Sequence, residues 1–209
     1  MNDDDPIVFL IDDDAAVRLA IESLLLSVGM RIESYSSPKE FLERPEPNGP
    51  CCLVVDVRLP SMSGTELQRH LTAIGRNIPV IFITGHGDIP MSVEAMKAGA
   101  IDFLTKPVRG QSLLDTIQSA IGISRTRRAE ETRLAELRKH FNSLTRRERE
   151  VMERVLNGQL NREIAVELGT SERTVKLHRS SVMRKMGADT LPDLVRMAVE
   201  ITTMDKPRD

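Results

Sequence analysis

The stretch Leu53-Val54-Val55-Asp56-Val57-Arg58-Leu59-Pro60 predicts a buried strand that ends on a carboxylate and turns at once. Its unbroken run of β-preferring apolar residues is typical of a strand covered on both faces. Because open α/β sheets collect their chemistry at the carboxyl ends of the strands, other strands should bring polar groups to the same edge. Three further apolar runs do so: Ile7 to Ile11 before Asp12-Asp13-Asp14, Val80 to Ile83 before Thr84, and Ile101 to Leu104 before Thr105-Lys106-Pro107.

Carboxylates gathered at one edge need positive charge nearby. They repel each other unless a hard cation lies between them, and the single ammonium of Lys106 offsets only part of their charge. The sequence therefore predicts a site at this edge that binds Mg²⁺ and a phosphoryl group.

Helix signals separate the strands, one more of which is expected at Arg31 to Tyr35. Ser37-Pro38-Lys39-Glu40 and Ser63-Gly64-Thr65-Glu66 both have the spacing of a capping box, which starts a helix. Strand and helix alternate five times, which predicts an α/β fold with a doubly wound, five-stranded parallel sheet. The second capping box opens a helix with Leu67, Leu71 and Ile74 on one face, and another helix is expected from Asp88 or Pro90 to Ala98.

Charge divides the 209 residues into two halves. Residues 1–122 contain 10 Lys and Arg against 17 Asp and Glu, whereas residues 123–209 contain 19 against 14. An acidic half suits a cation site, and a basic half suits an anionic polymer. We predict one domain at 1–122, a long helical linker at 123–142 and a second domain at 143–209. No apolar run approaches the roughly 20 residues of a spanning helix, so a cytoplasmic protein without a membrane partner is expected.

The second domain is predicted to contain four helices. A capping box at Thr145-Arg146-Arg147-Glu148 opens the first helix, Asn161 is expected to cap the second, and Ser171 is expected to cap the third, which runs from Glu172 to Met186. A fourth begins at Thr190 or Pro192. The second and third helices, joined at Gly169-Thr170, have the arrangement of a DNA-binding helix-turn-helix. The third carries five basic residues: Arg173, Lys176, Arg179, Arg184 and Lys185.

Several of these motifs resemble those of a known family. Phe9 to Asp14, Val55 to Gly64, Ile83 to Asp88 and Phe103 to Pro107 are similar to the successive motifs of two-component response regulator receivers, which have a flavodoxin-like fold. Leu144 to Glu148, Asn161 to Ala165 and Thr174 to His178 resemble the LuxR-type DNA-binding domain. Together they indicate the NarL/FixJ family, and Met91 to Ala100 is similar to its FixJ-type branch with the StyR-like members.

The resemblance implies a role for each residue of the acidic edge. Asp56 would accept phosphate from a sensor histidine kinase, and Asp13, Asp56 and the Arg58 carbonyl would bind Mg²⁺, with Asp12 acting through water. Thr84 would bond a phosphoryl oxygen and Lys106 would pair with it. Thr84 would then move inward and Phe103 would fill the vacated space.

The resemblance also implies the partners of the activated protein. It would form a homodimer, bind promoter DNA and act with RNA polymerase, most simply as an activator. Dimer contacts would come from Val93, Met96, Lys97 and Asp102. Base contacts would come from Lys176, Leu177 and Ser180, and phosphate contacts from Arg173, Thr174, Arg179 and Arg184, whereas His178 is expected to pack inward.

Two alternatives remain open on the sequence. Asp12-Asp13-Asp14 has the D-x-D spacing of aspartyl-nucleophile phosphohydrolases, although Ala16 stands where those enzymes have Thr or Val. The chain is therefore predicted not to be an enzyme. The second alternative is a DNA-binding protein whose receiver is inert.

Overall fold

The computed structural model describes residues 5–85 and 99–204. These residues form two compact units, one ending at Arg128 and the other beginning at Ala129. The helix expected between Asp88 and Ala98 lies outside the described residues, as do His86, Val93, Met96 and Lys97.

The first unit is built on a five-stranded sheet in which every strand pairs in parallel, as predicted. The strand order is β2-β1-β3-β4-β5, so the chain winds to one side of β1 and then to the other. The predicted strands are confirmed, except that the last begins one residue later than Ile101. The strands are β1 (Ile7–Ile11), β2 (Arg31–Tyr35), β3 (Cys51–Asp56), β4 (Val80–Thr84) and β5 (Asp102–Thr105).

Alternation along the strands divides the core of the first unit between the two sheet faces. Phe9, Leu53 and Phe82 lie in one apolar cluster, together with residues of α2 (Pro38–Leu42) and α3 (Gly64–Ala73). Leu10 and Val54 lie in the other cluster, with residues of α1 (Ala15–Ser27) and α4 (Gly110–Asn142). The sheet is thus covered on both faces, which explains why its central strands are apolar throughout.

Side-chain caps start α1, α2 and α3. Asp14 accepts hydrogen bonds from the Ala16 and Val17 amides at the start of α1. Ser63 and Glu66 form the predicted capping box of α3. The box predicted at Ser37 is only half correct: the Ser37 hydroxyl accepts from the Glu40 amide, but the Glu40 carboxylate accepts from Ser36 N–H, one residue earlier.

One prediction for α3 is wrong. Ile74 follows the last residue of the helix and is 50 % exposed, whereas Leu67 and Leu71 are buried. The helix ends before the stripe of apolar residues reaches Ile74. Gly75, with a φ of 78°, reverses the direction of the chain there.

The helix α4 is continuous over its 33 residues. Its contacts with the first unit continue past residue 122, where the Ser124 hydroxyl accepts a hydrogen bond from Cys51 N–H at 3.0 Å. Arg127 donates to the Asn77 carbonyl at 2.6 Å and Arg128 donates to the Pro47 carbonyl at 3.0 Å. None of the helices within residues 5–85 and 99–204 is both long and apolar enough to cross a membrane.

Four helices follow in the second unit, as predicted. Their apolar core includes Val151, Ile164, Val175 and Val182, and Leu137 from the end of α4 packs into it. The helices are α5 (Arg146–Leu156), α6 (Asn161–Glu167), α7 (Glu172–Met186) and α8 (Leu191–Met204).

The start of α6 differs from the prediction. Leu160, not Asn161, precedes the helix, and the Glu163 carboxylate accepts from Leu160 N–H at 2.8 Å. The Asn161 carboxamide oxygen instead accepts from the Arg179 guanidinium at 2.9 Å. Asn161 therefore fastens α6 to α7 rather than capping its own helix.

A buried carboxylate joins α5 to α7. Glu148 completes the predicted capping box with Thr145, and it also accepts from Ser181 Oγ at 2.6 Å and Lys185 Nζ at 2.7 Å. Burial alone would raise the pKa of the Glu148 carboxyl, but these donors outweigh it and lower the pKa to about 2. The charged form is thus held in the folded unit.

We expect Gly64→Ala to destabilise the first unit and Gly122→Ala to leave it unharmed. A Cβ at Gly64 would lie 2.6 Å from the Asp56 carbonyl oxygen, whereas a Cβ at Gly122 meets no atom within 4 Å. The first change should lower the free energy of unfolding by about 1–3 kcal/mol. The second should raise it by up to roughly 1 kcal/mol because Ala favours a helix. Fluorescence of the single tyrosine, Tyr35, reports unfolding of this unit alone; equal stability of the two variants would contradict the packing described.

We expect Glu148→Gln to lower the free energy of unfolding of the second unit by about 2 kcal/mol at pH 7, because Lys185 loses its buried partner. The depressed pKa makes this stabilisation complete above the ordinary value of 4.5 and removes it as the pH falls toward 2. The difference in the free energy of unfolding between wild type and Glu148→Gln should therefore disappear as the pH falls from 4.5 toward 2.

Far-ultraviolet circular dichroism during heating measures this difference, and hydrogen exchange of peptides from α5 localises it. Glu150→Gln is the matched control, since Glu150 pairs with the more exposed Arg146 and Arg147, and should cost less than about 0.5 kcal/mol. Equal losses of unfolding free energy in both variants would show that the bonds of Glu148 stabilise the unit no more than an exposed ion pair does.

Candidate functional site

The strand order brings the predicted polar residues to one edge of the sheet. Asp12 follows β1, Asp56 ends the adjacent β3, and Thr84 ends β4, which is next in the sheet. Lys106 follows the last residue of β5, and its backbone N–H donates to the Thr84 carbonyl at 2.7 Å. The ends of β1, β3 and β4 and the residue after β5 thus lie at one edge. They bring together the polar groups that were predicted from the sequence to share it.

Lys106 is the centre of this edge. Its Nζ donates to Asp12 Oδ2 at 2.7 Å and to Asp56 Oδ2 at 2.5 Å, while the Asp12 side chain is fully buried. Burial opposes charge on Lys106, but the two carboxylates outweigh that effect and raise its pKa. The Lys106–Pro107 peptide bond is cis.

At Asp12, unlike at Lys106, the effect of burial on the pKa outweighs the effect of the hydrogen-bonding partners. Burial raises the pKa of its carboxyl, although hydrogen bonds from Lys106 and from Asp14 N–H act against that rise. A carboxylate buried beside a second one is stabilised by any further positive charge that reaches the edge.

Asp13 completes a group of three carboxylates. Oxygen atoms of Asp12, Asp13 and Asp56 lie within 4.8 Å of one another, and Asp13 is exposed whereas the other two are buried. An all-oxygen donor set with one face open to solvent fits a hard divalent cation that keeps part of its water shell. These three residues could therefore hold a metal ion.

The turn after β3 fixes the Asp56 carboxylate. Arg58 N–H donates to Asp56 Oδ1 at 2.9 Å, so one carboxylate oxygen is held by the backbone and the other by Lys106. Val57 N–H donates to the Ile83 carbonyl, which keeps this turn against β4. The buried carboxylate is consequently fixed in orientation, with 9 % of its side chain exposed.

The two residues assigned to the switch lie on adjacent strands. Thr84 is buried and is aligned with Thr105 in the sheet register. Phe103 is aligned with Phe82 on β4. It is partly exposed and packs against the apolar cluster that contains Phe82.

Sequence reasoning missed one residue at this edge. The Arg18 guanidinium, on the first turns of α1, donates to the Asp12 backbone carbonyl at 2.6 Å. Asp12 therefore has donors on its carbonyl and on both carboxylate oxygens. The only signal was helical spacing: Arg18 lies four residues beyond the Asp14 cap, one turn into a helix that starts at the site.

Asp102, predicted to contact a second protomer, already has partners within the chain. Its carboxylate accepts from Phe103 N–H at 2.7 Å and from the Thr116 hydroxyl at 3.2 Å. The bond from Thr116 ties the start of β5 to α4.

In the second unit, α7 presents a narrow outward face. His178 is half-buried, as expected, while Thr174 and Arg179 are also half-buried and bonded to Ser171 and Asn161. The remaining residues assigned to DNA are exposed: Arg173, Lys176, Leu177, Ser180 and Arg184.

Comparison with known protein families assigns both units. Residues 8–118 match the family described as "Response regulator receiver domain". Residues 142–198 match the family described as "Bacterial regulatory proteins, luxR family". The two matches cover the acidic edge and the helix-turn-helix, respectively.

Individual relatives share this arrangement over almost the whole chain. The response regulator protein TodT of Pseudomonas putida is 46 % identical over 197 residues, which cover 94 % of this chain and 87 % of TodT. The transcriptional regulatory protein FixJ of Azorhizobium caulinodans is 44 % identical over 192 residues, covering 92 % of this chain and 91 % of FixJ. The solved structure of the response regulator StyR matches with a TM-score of 0.85 and 45 % identity, covering 94 % of this chain and 99 % of StyR.

The matches exclude the phosphohydrolase alternative, because receivers joined to LuxR-type domains are non-enzymatic regulators of transcription. The chain belongs to the NarL/FixJ family of two-component response regulators, in which a receiver domain controls a DNA-binding helix-turn-helix domain.

Proposed function

We propose that Asp56 accepts a phosphoryl group from the phosphohistidine of a sensor histidine kinase, and that this acylphosphate switches the protein into a DNA-binding dimer. The observation that carries the proposal is the double contact of Lys106 with Asp12 and Asp56 at 2.7 and 2.5 Å. An ammonium held on the acceptor carboxylate is already in place to balance the charge that a phosphoryl group brings.

The transfer uses the side chains of the edge in distinct roles. A carboxylate oxygen of Asp56 attacks phosphorus, the bond from phosphorus to the histidine nitrogen breaks, and the imidazole leaves with the electron pair. Lys106 then pairs with a phosphoryl oxygen, and the Thr84 hydroxyl donates to another. The Arg58 amide keeps the remaining carboxylate oxygen in position throughout.

Asp13, Asp56 and the Arg58 carbonyl would hold Mg²⁺, with Asp12 acting through a water molecule. The ion supplies charge neutralisation at the phosphoryl oxygens. This part of the proposal is supported by the all-oxygen group of three carboxylates.

The proposed switch involves Thr84 and Phe103, which lie on adjacent strands. Movement of Thr84 toward the phosphoryl group opens space beside β5 for Phe103, and this changes the face that pairs with a second protomer. Val93, Met96, Lys97 and Asp102 are the proposed contacts. For Asp102, pairing requires the carboxylate to exchange its bond with Thr116 for one across the dimer.

The dimer would read palindromic half-sites in promoter DNA. Lys176, Leu177 and Ser180 would face base edges, and phosphates would be met by Arg173, Thr174, Arg179 and Arg184. The proposed outcome is activation through contact with RNA polymerase in the cytoplasm.

Asp56→Asn should abolish incorporation of phosphate from acetyl phosphate and Mg²⁺, because an amide oxygen cannot form the acylphosphate. Intact-protein mass spectrometry measures the added group. Asp14→Asn is the matched control, since Asp14 caps α1 through its side chain and should keep wild-type incorporation. Lys106→Met should slow incorporation roughly 100-fold. Full labelling of Asp56→Asn would place the acceptor elsewhere and refute the proposal.

Phosphorylation should convert the wild type to a dimer and raise its affinity for specific DNA by at least about tenfold, because two linked half-site contacts replace one. Analytical ultracentrifugation with and without the phosphodonor measures the first effect, and a DNA-binding titration at fixed salt measures the second. Asp56→Asn should show neither effect. If this variant dimerised and bound DNA as the phosphorylated wild type does, the receiver would be inert.

A further inference from the structure

Two Asn-Gly pairs in this chain lie in different local structures. Asn48-Gly49 is in the loop between α2 and β3, and Asn157-Gly158 follows the last residue of α5. Asn is a thermolabile residue, and a following glycine has no side chain to shield its backbone nitrogen. Either pair can therefore lose its side-chain amide through attack by that nitrogen. Neither pair has a part in the proposed phosphorylation.

Hydrogen bonds hold the second pair in a turn that ends the helix. Gly158 N–H donates to the Val155 carbonyl at 3.0 Å. Asn157 keeps a near-helical backbone, with a φ of −79° and a ψ of 4°, and Gly158 has a φ of 80°. The Gly158 nitrogen must give up its hydrogen bond before it can act as a nucleophile. Asn157 is thus protected by its backbone, although both residues of the pair are exposed.

The first pair is not held in this way. Within residues 5–85 and 99–204, no hydrogen bond uses the Gly49 N–H. Asn48 is exposed, and both residues line a cleft of about 270 Å³. Asp5 and Glu46 line the same cleft, so a carboxylate or a water molecule there can accept the Gly49 proton. The Gly49 nitrogen can therefore react without first breaking a hydrogen bond.

Arg128 brings positive charge to this peptide group. Its guanidinium, on α4, donates to the Asn48 carbonyl at 2.5 Å and to the Pro47 carbonyl at 3.0 Å. The Asn48 carbonyl and the Gly49 nitrogen belong to one conjugated peptide group, so negative charge on the nitrogen spreads to the oxygen that Arg128 contacts. A cation at that oxygen stabilises the charge as it develops. Arg128 consequently lowers the barrier to removal of the Gly49 proton.

We infer that Asn48 is a site of spontaneous deamidation and that Arg128 promotes the reaction. The Gly49 nitrogen, having lost its proton, bonds to the side-chain carbonyl carbon of Asn48. The bond from that carbon to the amide nitrogen breaks, and ammonia leaves with the electron pair and a proton. Water then opens the resulting five-membered ring at either carbonyl, which gives aspartate or isoaspartate.

Ring opening at the main-chain carbonyl places the new carboxylate at Arg128. In the isoaspartate, the former Asn48 carbonyl carbon carries the free carboxylate, and the chain continues through the side-chain carbon. A pair between a carboxylate and a guanidinium is stronger than the bond to a neutral carbonyl that it replaces. The folded protein should therefore form a larger share of isoaspartate than the unfolded chain does.

Prolonged incubation of the full-length protein at mildly alkaline pH, followed by peptide mapping with mass spectrometry, tests the inference. Mass distinguishes the acid from the amide, and electron-transfer fragmentation distinguishes isoaspartate from aspartate. Deamidation at Asn48 should be at least about tenfold faster than at Asn157. In urea, where the two pairs differ only in their sequence neighbours, the two rates should become similar. Equal rates in the folded protein, or a faster loss at Asn157, would overturn the inference.

Arg128→Gln isolates the contribution of the guanidinium. The change should slow deamidation of Asn48 about tenfold in the folded protein and lower the share of isoaspartate, with no effect in urea. Arg127→Gln is the matched control and should react as the wild type does, because Arg127 donates to the Asn77 carbonyl instead. Arg128→Lys keeps a cation at this position and should retain most of the rate. An unchanged or higher rate in Arg128→Gln would refute the assistance by Arg128.

Discussion

The ammonium of Lys106, placed between the carboxylates of Asp12 and Asp56, is the interaction on which the first unit depends. Parallel strands necessarily end at one edge, and here three of them end in or lead directly into Asp12, Asp56 and Thr84. One cation cannot neutralise the three carboxylates of the edge, so the site keeps a deficit of positive charge. The proposed divalent ion would offset that deficit, and its charge together with that of Lys106 would then balance a phosphoryl group at the same place.

The two units use buried carboxylates in opposite ways. Burial leaves Asp12 with a raised pKa despite its donors, whereas Glu148 has donors enough to lower its pKa to about 2. Glu148 is therefore satisfied by Lys185, Ser181 and Thr145, and it fastens α5 to the helix that carries the exposed basic face. Asp12 retains capacity for another cation. The same side-chain chemistry thus supports a framework in one unit and the proposed phosphoacceptor edge in the other.

Local patterns in the sequence were sufficient for most of the fold. Apolar runs located four of the five strands, all but β2, and capping residues located the starts of α3, α5 and α7. The predictions that failed depend on contacts between elements that are distant in the sequence or on where a helix ends. Asn161 was read as a cap, but Arg179 from another helix takes its carboxamide. Ile74 continued an apolar stripe that the helix does not reach. The grouping of Asp12, Asp56, Thr84 and Lys106 could be predicted because strand ends share an edge; the contact of Arg18 with Asp12 could not, since it depends on a rotamer.

We propose that the edge holding Lys106 is built to receive a phosphoryl group on Asp56. A crystal structure of the full-length protein with Mg²⁺ and beryllium trifluoride, which mimics that group, tests it most directly. We expect beryllium bonded to an Asp56 carboxylate oxygen, with Lys106 Nζ and the Thr84 hydroxyl donating to its fluorine atoms and Mg²⁺ bound by Asp13 and Asp56. An edge that binds neither, with Lys106 still bridging Asp12 and Asp56, would contradict it.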